Sequence, residues 1–464
     1  MTDVDRYEIL VIGSGEAGKY LAWTMAAAGH RTAVIERRFV GGSCPNIACL
    51  PSKNMIHSAR MKSLAIRGSE FGLDAGSIRT NMKAVQQRKR SMVDDLIRVH
   101  VDRYDTAGVD LIMGDARFVA AKTVAVHREG ADTRLIAGER LFLNVGTHAS
   151  VPDIPGMADA APMTHIELLD LERVPEHLIV LGGGYVGLEL AQAMRRFGAE
   201  VTVMERGAQL AGREDPDVGD ALLELFRDEG IQVLLHTDVR EVSGRSEKEI
   251  RVRSAGPNGD QIIEGTHLLV AAGRTPNTHD IGADLAGIEL DARGYIQVNE
   301  RLETTAPDVW AMGDCAGSPQ FTHVAFDDFR IVRDNLNGGS RTTRNRLVPF
   351  CMFTDPELGR VGLNESEARS RRIPYRTVTM PMAAVLRTRT TSESRGFMKM
   401  LIDEASDRIL GFTVFGSEAS ELLATVQTAM LGGLPFTALR DAVFTHPTAA
   451  EGLTLLLAAV ESDR

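Results

Sequence analysis

Residues 7–18 read YEILVIGSGEAG, a strand-like apolar run that ends in a glycine-rich turn. Its glycines are Gly13, Gly15 and Gly18, and apolar residues at helical spacing follow before a second apolar run ends at Glu36. This order predicts a β-strand, a turn, an α-helix and a second β-strand. Glycines let such a turn approach a pyrophosphate, the helix N-terminus offers unpaired N–H donors, and Glu36 can bond a ribose hydroxyl. The segment therefore predicts a dinucleotide site.

The same pattern occurs a second time, with every element displaced by the same number of positions. The glycines of this copy are Gly182, Gly184 and Gly187. One glycine turn of this type is common, but two copies in the same context indicate two dinucleotide sites. Glu205 ends the second strand and slightly favours NADH over NADPH, because a carboxylate repels a 2′-phosphate. Arg206 and Arg213 could instead bind that phosphate.

Clusters of glycine and proline divide the chain into segments. A chain of 464 residues is too long for one ordinary core, and the clusters around Gly146 and Gly273 are typical of crossings between domains. Residues 55–115 combine helical spacing of apolar residues with many charges and predict long surface helices. The expected segments are 1–150 and 275–345 for the first nucleotide-binding domain, 151–274 for the second, and 346–464 for a C-terminal domain.

The composition is that of an ordinary folded protein. Hydrophobic residues make up 44% and charged residues 25%, so sizeable cores can be buried. The net charge of -11 opposes binding to nucleic acid or to an anionic membrane. The polar start, residues 1–6, leads directly into a strand, and no apolar run approaches the roughly 18 residues needed to span a bilayer. We therefore expect a cytoplasmic protein that binds neither nucleic acid nor membranes.

Two of the four cysteines, Cys44 and Cys49, lie in the segment GGSCPNIACLPSK, residues 41–53. The chain keeps this pair close to the first glycine turn, because the segment follows shortly after the second strand. Pro45 suits the first position of a helix, which would make Cys44 its cap and favour a thiolate there. Five residues of regular helix rise about 7.5 Å, so a disulfide needs a local distortion. Pro51 is a candidate for its source.

The cysteine pair permits several interpretations. Two buried cysteines can act as small hydrophobic side chains, and two thiolates can bind a metal. Structural zinc sites usually need four close ligands, and no second cysteine or histidine pair lies nearby in the sequence. The neighbouring dinucleotide turns favour a redox-active disulfide between Cys44 and Cys49. No metal site is predicted.

Several motifs together resemble those of the flavoprotein disulfide reductases, the family that includes glutathione reductase, dihydrolipoyl dehydrogenase and mercuric reductase. They are the two glycine turns, the cysteine segment with Lys53, the second turn's Glu189, WAMGD at residues 310–314, and HPTAAE at residues 446–451. The motifs span essentially the whole chain. The resemblance implies an α/β fold with two Rossmann-like dinucleotide-binding domains and a C-terminal α+β dimerisation domain. It also implies FAD on the first turn, NAD(P)H on the second, and a homodimer.

The resemblance further implies a role for each site residue. The residues at FAD would be Gly13, Gly15, Gly18, Glu36, Lys53, Gly146 and Asp314. The residues at NAD(P)H would be Gly182, Gly184, Gly187, Glu189, Glu205, Arg206 and Gly273. By the same resemblance, Asp314 binds the ribitol of FAD, and Lys53 lies near the reactive flavin nitrogen and pairs with Glu189. Cys44 would attack the oxidant, and Cys49 would contact the flavin.

A histidine completes the implied catalytic set. Glu451 can hold the imidazole of His446 in one tautomer and raise its basicity, which suits a base that deprotonates an attacking thiol. In the family such a histidine completes the other subunit's site. Cys315 and Cys351 have no comparable setting, and we interpret both as structural.

The sequence leaves the substrate open. A small disulfide, or in reverse a dithiol such as dihydrolipoamide, is favoured because His446 has a use only where a thiol gains or loses a proton. The first alternative is reduction of a mercuric or cupric ion or of a quinone. Residues 456–464 lack the cysteine pair with which mercuric reductases deliver metal, which argues against mercury as the main substrate. The second alternative is a redox-sensing flavoprotein without turnover, for which a lost cysteine or a lost Lys53 would be expected.

Overall fold

A computed structural model describes residues 4–74 and 76–461 of the chain. The first half of the polar start and the last three residues of segment 456–464 lie outside the described residues. The strands are β1 (Val4–Ile12), β2 (Thr32–Glu36), β3 (Asp110–Met113), β4 (Asp115–Ala120), β5 (Thr123–His127), β6 (Arg134–Leu143), β7 (Thr147–Ala149), β8 (His177–Leu181), β9 (Glu200–Met204), β10 (Gln232–Leu234), β11 (Asp238–Gly244), β12 (Ile250–Gly256), β13 (Gly259–Gly265), β14 (His267–Val270), β15 (Arg274–Pro276), β16 (Val309–Ala311), β17 (Pro349–Met352), β18 (Glu357–Gly362), β19 (Tyr375–Pro381), β20 (Phe397–Asp403) and β21 (Ile409–Gly416). The α-helices are α1 (Glu16–Ala27), α2 (Ser43–Asn46), α3 (Cys49–Ile66), α4 (Met82–Thr106), α5 (His165–Leu169), α6 (Tyr185–Phe197), α7 (Pro216–Asp228), α8 (Thr322–Leu336), α9 (Glu365–Ser370), α10 (Leu386–Thr390), α11 (Ala419–Leu431), α12 (Phe436–Arg440) and α13 (Gly452–Ala458).

The first sheet has the strand order β3-β2-β1-β6-β5-β4, with β16 paired to β6. Strand β1 pairs in parallel with β2 on one side and with β6 on the other, and α1 connects β1 to β2. Helices α1 and α8 pack together over one face. Every residue of β2 is buried, as expected for a parallel strand inside a covered sheet. The strand, turn, helix and strand predicted for residues 7–36 are confirmed.

A second parallel sheet repeats this arrangement with the order β10-β9-β8-β14. Strand β8 pairs in parallel with β9 and β14, as β1 pairs with β2 and β6. Helix α6 connects β8 to β9, as α1 connects β1 to β2. An antiparallel sheet, β11-β12-β13, lies between β10 and β14 in the sequence. The predicted second copy of the strand, turn, helix and strand is confirmed.

Two short strands form where crossings between the units were expected. Strand β7 follows Gly146 and β15 follows Gly273, and the two pair antiparallel with His148 opposite Thr275. Strand β16 then returns to the first sheet beside β6. The segment that leaves the first unit at β7 and the segment that leads back to it at β15 are therefore adjacent.

The carboxyl-terminal unit contains the antiparallel sheet β17-β18-β21-β20-β19. Helix α11 packs on β18 and β21, and α13 contributes to the same core. Strand β21 is buried along its whole length. Helices and strands are segregated here, so the α+β prediction for this unit is confirmed.

Two long helices, α3 and α4, pack together beside the nucleotide-binding units, which confirms the helices predicted within residues 55–115. Helix α3 also packs against α6 of the second unit. The helix that begins at Cys49 therefore connects the neighbourhoods of both glycine turns. Across residues 4–74 and 76–461, none of the helices is long and apolar enough to cross a membrane.

Candidate active site

The first glycine turn, between β1 and α1, leaves no room for side chains. Gly13 has a φ of +97°, and a Cβ on it would lie 2.3 Å from the backbone oxygen of Asn144. A Cβ on Gly18 would lie 2.3 Å from the backbone oxygen of Gly13. The cap residue of α1, Gly15, has no side chain that could occupy the helix N-terminus, where an anionic group is stabilised. The turn is therefore shaped for the close approach of a phosphate.

The carboxylate of Glu36 is fixed at the end of β2. It accepts hydrogen bonds from the N–H and the hydroxyl of Ser14 at 2.9 and 2.7 Å. It also accepts the N–H groups of Arg38 and Phe39 at 2.8 and 3.0 Å. The Ser14 hydroxyl oxygen in turn accepts the N–H of Gly41 at 2.9 Å. The carboxylate, the turn and the start of the cysteine segment are thus one hydrogen-bonded unit.

Asp314 lies in the turn that follows β16. Its carboxylate accepts the hydroxyl of Thr147 at 2.6 Å, and Nε of Arg274 lies 3.9 Å from it. Arg274 donates to the Thr147 hydroxyl oxygen at 2.7 Å. Gly146 has a φ of +67°, and a Cβ on it would meet no atom within 4 Å. Asp314 is therefore tied to the first crossing, and space remains free beside Gly146.

The second glycine turn repeats the backbone geometry of the first. Gly182 has a φ of +111°, and a Cβ on it would lie 2.5 Å from the backbone oxygen of Ala271. A Cβ on Gly187 would lie 2.2 Å from the backbone oxygen of Gly182. Gly184 caps α6 without a side chain, and the space around its Cβ position is open to 4 Å. This turn too can receive a phosphate.

Glu205 occupies the position that corresponds to Glu36. Its carboxylate accepts the N–H groups of Gly183 and Gly207 at 2.7 and 2.6 Å. Arg206 beside it is exposed. Gly273, with a φ of +123°, begins the return passage to the first unit. The second turn therefore combines a held carboxylate with a nearby cation.

Cys44 and Cys49 lie on separate helices, α2 and α3, with a break between them. The N–H groups of Ile47 and Ala48 both bond to the carbonyl of Ser43 at 2.9 Å. Ala48 has φ -127° and ψ -100°, outside the helical region. The break brings the thiols of Cys44 and Cys49 close enough for each to shift the pKa of the other. In the part of the chain that the structure describes, the cysteines are free thiols.

Two details predicted for this segment are wrong. Cys44 is not the helix cap, because Gly42 caps α2 with a φ of 82° and Cys44 is the second helical residue. Pro51 is not the source of the distortion, because it lies in the first turn of α3, where a missing N–H costs little. The chain instead breaks at Ile47 and Ala48.

The surroundings of the two thiols shift their pKa values in opposite directions. The pKa of Cys49 is lowered to about 6, first by the hydrogen bond from the Cys44 thiol and then by the Thr322 hydroxyl and the Lys53 ammonium. Thr322 Oγ1 lies 3.3 Å from Sγ of Cys49. The pKa of Cys44 is raised, because its proton is held in the bond to Cys49 and because the thiol is buried. The Thr322 hydroxyl and the Lys53 ammonium thus favour the charged form of Cys49, and the thiolate expected at Cys44 stays a prediction.

Lys53, in the second turn of α3, forms an ion pair with Glu189 in α6. Its Nζ lies 2.6 Å from Oε2 of Glu189, and the buried carboxylate also accepts the N–H of Phe353 at 2.7 Å. The Lys53 ammonium lies 4.9 Å from the ring centre of Phe353. The predicted Lys53–Glu189 pair is present. It places a cation near Cys49, where the first and second units meet.

His446 and Glu451 lie together near the end of the described chain. Nδ1 of His446 is 3.0 Å from both carboxylate oxygens of Glu451. The His446 side chain is 62% exposed. Among the residues described in a single chain, neither partner has a hydrogen bond or an ion pair with Cys44 or Cys49. The imidazole of His446 is therefore exposed and can contact a second chain.

The two remaining cysteines, Cys315 and Cys351, have raised pKa values. Cys315 is buried and lies 3.6 and 3.4 Å from the carbonyl oxygens of Leu143 and Met312. Burial raises the pKa of Cys315 to about 12 and also raises the pKa of Cys351. Both thiols stay protonated near neutral pH, which agrees with a structural role. No group of three or more His, Cys, Asp and Glu residues within 4–74 and 76–461 is arranged to hold a metal ion.

Three hydroxyl side chains in this geometry were not singled out from the sequence. Thr322 reaches Cys49 from 273 positions away, and local spacing carries no signal of such a contact. Thr147 directly follows Gly146, and Ser14 lies between the first two glycines of the turn. A hydroxyl inside a glycine turn could have been recognised as a partner for the carboxylate of Glu36.

Family models match most of the chain. A model described as pyridine nucleotide-disulphide oxidoreductase matches residues 7–328, and one described as the dimerisation domain of this family matches residues 348–457. The probable pyridine nucleotide-disulfide oxidoreductase RclA of Escherichia coli (strain K12) is 36% identical over 464 residues, 99% of this chain and 100% of that protein. A mercuric reductase of Acidithiobacillus ferrooxidans is 34% identical over 457 residues, 98% of this chain and 82% of that protein.

A solved structure agrees with these matches. The Cu(II) complex of the HOCl-induced flavoprotein disulfide reductase RclA from Escherichia coli has a TM-score of 0.90 at 36% identity, with 98% of this chain and 100% of that chain covered. These three relatives match 98% or 99% of this chain. The chain belongs to the pyridine nucleotide-disulfide oxidoreductase family and is an FAD-dependent oxidoreductase that uses NAD(P)H.

Proposed function

We propose that the chain passes electrons from NAD(P)H by way of FAD to the Cys44–Cys49 pair, and from the pair to a small disulfide. The observation that carries the choice of a disulfide is the His446–Glu451 pair. A carboxylate held at Nδ1 leaves Nε2 as the basic nitrogen, which is what deprotonation of a thiol requires. Reduction of a metal ion or a quinone needs no such base.

We assign FAD to the first glycine turn and the nicotinamide coenzyme to the second. Glycine caps without side chains at α1 and α6, and the open space beside Gly146 and Gly184, fit two phosphate-bearing ligands. A Cβ on Gly42 would lie 2.5 Å from the Cα of Gly15, so the cysteine segment packs directly on the first turn. That packing favours FAD there, because FAD supplies electron transfer between the coenzyme and a disulfide.

The remaining residues take roles within this assignment. Glu36 would bind the ribose of FAD and Asp314 its ribitol. Glu205 would bind the ribose of NADH, and its negative charge gives NADH a slight preference over NADPH. Lys53 and Glu189 would lie between the two ligands, because their ion pair joins α3 to α6.

The cysteine pair would reduce a disulfide in two exchanges. His446 of the partner subunit takes the proton of Cys44, whose thiolate attacks one sulfur of the substrate and forms a mixed disulfide. The departing thiolate takes that proton back from the imidazolium. The Cys49 thiolate then attacks Sγ of Cys44, which releases the second substrate thiolate and restores the Cys44–Cys49 disulfide. The pair loses two electrons, and solvent supplies the second proton.

A homodimer is required for this use of His446. The match to the dimerisation domain of the family supports it. Apolar side chains on the same unit are exposed in the single chain, with Val443 at 101% and Leu431 at 69%. Their exposure in the single chain is compatible with a surface that another chain covers.

A panel of oxidants tests the proposal. The protein would be reduced anaerobically with NADH or NADPH and then mixed with glutathione disulfide, lipoamide, a quinone, and cupric or mercuric ions. We expect a disulfide to reoxidise it fastest and His446→Ala to slow that reaction alone. Fast reoxidation by metal ions or quinones only, at the same rate in His446→Ala, would contradict the proposal.

Reduction of cupric ion is the second candidate. The RclA relative has been solved as a Cu(II) complex, and thiols such as those of Cys44 and Cys49 are soft ligands that suit copper. In this case the cysteines would bind the ion itself, and His446 would be dispensable. The panel and the His446→Ala variant together separate the two candidates.

A further inference from the structure

Asn144 follows strand β6 directly, and both arms of its amide are used. Its Oδ1 accepts the N–H of Gly18 at 3.0 Å, and its Nδ2 donates to the carbonyl of Met312 at 2.8 Å. The side chain is buried, with 8% of the residue exposed. One partner is an N–H and the other a carbonyl, so the orientation of the amide is determined.

The two partners belong to different halves of the proposed FAD site. Gly18 is the last glycine of the first turn and lies 126 positions from Asn144. Met312 lies 168 positions from Asn144 and directly precedes the turn that carries Asp314. The amide also touches the glycines themselves, because a Cβ on Gly15 would lie 2.6 Å from Oδ1 and one on Gly313 would lie 3.0 Å from Nδ2. Asn144 is therefore a bridge between the phosphate turn and the Asp314 turn.

The second glycine turn has the same backbone and lacks this bridge. The N–H of Asn144 bonds to the carbonyl of Ile12 at 2.8 Å, and the N–H of Ala271 bonds to the carbonyl of Leu181 at the same distance. The backbone carbonyl of Asn144 lies close to Gly13, and the backbone carbonyl of Ala271 lies close to Gly182. Each of these glycines is the first of its turn. Ala271 has no side-chain amide. The bridge therefore distinguishes the turn assigned to FAD from the turn assigned to the exchanging coenzyme.

We propose that Asn144 is a positioning residue for FAD, which holds the phosphate turn and the Asp314 turn at the spacing the cofactor needs before it binds. A ligand that spans two separate segments binds more tightly when both segments are already in place. The free energy of binding is then not reduced by the entropy cost of ordering them. The inference rests on the proposed assignment of FAD to the first turn.

Two variants of the full-length protein test the bridge. Asn144→Ala removes both hydrogen bonds. Asn144→Asp keeps the size and the acceptor for Gly18 but cannot donate to Met312. We expect the FAD dissociation constant, measured by flavin fluorescence on the deflavinated protein, to rise about tenfold or more in each variant. If Asn144→Ala does not fold, Asn144→Asp decides the question.

Gln192 provides a matched control. It is a buried amide in α6 that donates to Glu229 at 2.8 Å and to the carbonyl of Asp355 at 2.9 Å, away from the first turn. Gln192→Ala should lower the melting temperature and leave the FAD dissociation constant within about twofold of the wild type. A purely structural role for Asn144 would make its variants behave like Gln192→Ala.

The outcomes are distinct. Wild-type FAD affinity in Asn144→Ala or Asn144→Asp, or an affinity loss that Gln192→Ala reproduces, would overturn the proposal. Gly13→Ala separates this failure from failure of the proposed function. If Gly13→Ala binds FAD as tightly as the wild type, FAD does not occupy the first turn and both proposals fall.

Discussion

The two glycine turns have the same backbone geometry and differ in the side chains that contact them. In the first, the Glu36 carboxylate accepts bonds from Ser14, Arg38 and Phe39, and an amide bridges to the turn of Asp314. In the second, backbone N–H groups hold Glu205. Prearranged side chains lower the ordering cost of binding. This difference fits the proposed assignment of FAD, which stays bound, to the first turn and of the coenzyme, which leaves after each turnover, to the second.

The difference extends to the cysteine pair. The cysteine segment is attached to the first turn, through the Gly41 bond to Ser14 and the contact of Gly42 with Gly15. Its link to the second unit includes the Lys53–Glu189 ion pair. The cysteine segment and the first turn are therefore joined by a hydrogen bond and a close backbone contact.

The largest effects are expected from adding one methyl group to each turn. In Gly13→Ala and Gly182→Ala the new Cβ would meet a backbone oxygen at 2.3 and 2.5 Å. The left-handed φ adds roughly 1–3 kcal/mol of strain. Gly13→Ala should purify without FAD, whereas Gly182→Ala should keep FAD and lose flavin reduction by NADH at least about a hundredfold. Flavin absorbance and anaerobic stopped-flow reduction measure the two properties. Equal loss of both in each variant would show that the turns do not hold different ligands.

The next largest effect is expected on the rate of disulfide reduction, without an effect on the reactions at the two glycine turns. His446→Ala should slow disulfide reduction about a hundredfold or more, the usual scale for a lost general base, and leave flavin reduction by NADH unchanged. Steady-state turnover with a disulfide and stopped-flow flavin reduction give the two rates. His279→Ala is the control, because the His279 side chain is 95% exposed. Normal disulfide turnover in His446→Ala would remove the histidine from the reaction.

A smaller effect is expected on the pKa of the Cys49 thiol, which Thr322 contacts. Because the pKa of Cys49 is lowered to about 6, its thiolate should form as the pH rises through that value and disappear below it. Thr322→Val removes a donor to Sγ and should move the midpoint up by about one pH unit. The ultraviolet thiolate absorbance of the reduced protein reports the midpoint, and Thr322→Ser should restore it. An unchanged or lower midpoint in Thr322→Val would mean that the hydroxyl does not stabilise the thiolate.

The smallest effect sharpens the comparison of the two carboxylates. Glu205→Ala should shift the ratio of kcat/KM for NADH over NADPH toward NADPH by about tenfold or less, because Arg206 and Arg213 then meet a 2′-phosphate unopposed. Glu36→Ala should weaken FAD binding without changing that ratio. Initial rates with NADH and with NADPH give this ratio for each variant. A ratio that responds to Glu36→Ala and not to Glu205→Ala would reverse the assignment.

Much of the fold could be predicted from the sequence because its signals are local. The strand, turn and helix around Gly13 and Gly182 follow from apolar periodicity and from positions where the backbone needs a positive φ. The Lys53–Glu189 and His446–Glu451 pairs followed from the family resemblance. Spacing alone could not place Lys53 beside Glu189, because 136 positions separate them.

The charge of the cysteine pair could not be predicted in the same way. It depends on the break at Ile47 and Ala48, which no proline marks, and on Thr322 from a distant helix. The prediction from Pro45 used the local signal for a helix start and placed Cys44 at the cap, whereas Gly42 caps α2. The bridge made by Asn144 was missed for the same reason, since both of its partners are remote in the sequence.

The most direct test of electron flow from the coenzyme to Cys44 and Cys49 is a thiol map after anaerobic reduction. Oxidised protein would receive one equivalent of NADH, be alkylated in denaturant, and be analysed by mass spectrometry. We expect both cysteines to gain label while the flavin stays oxidised, with Cys315 and Cys351 labelled equally before and after reduction. A bleached flavin with no gain of label at Cys44 and Cys49 would contradict the account.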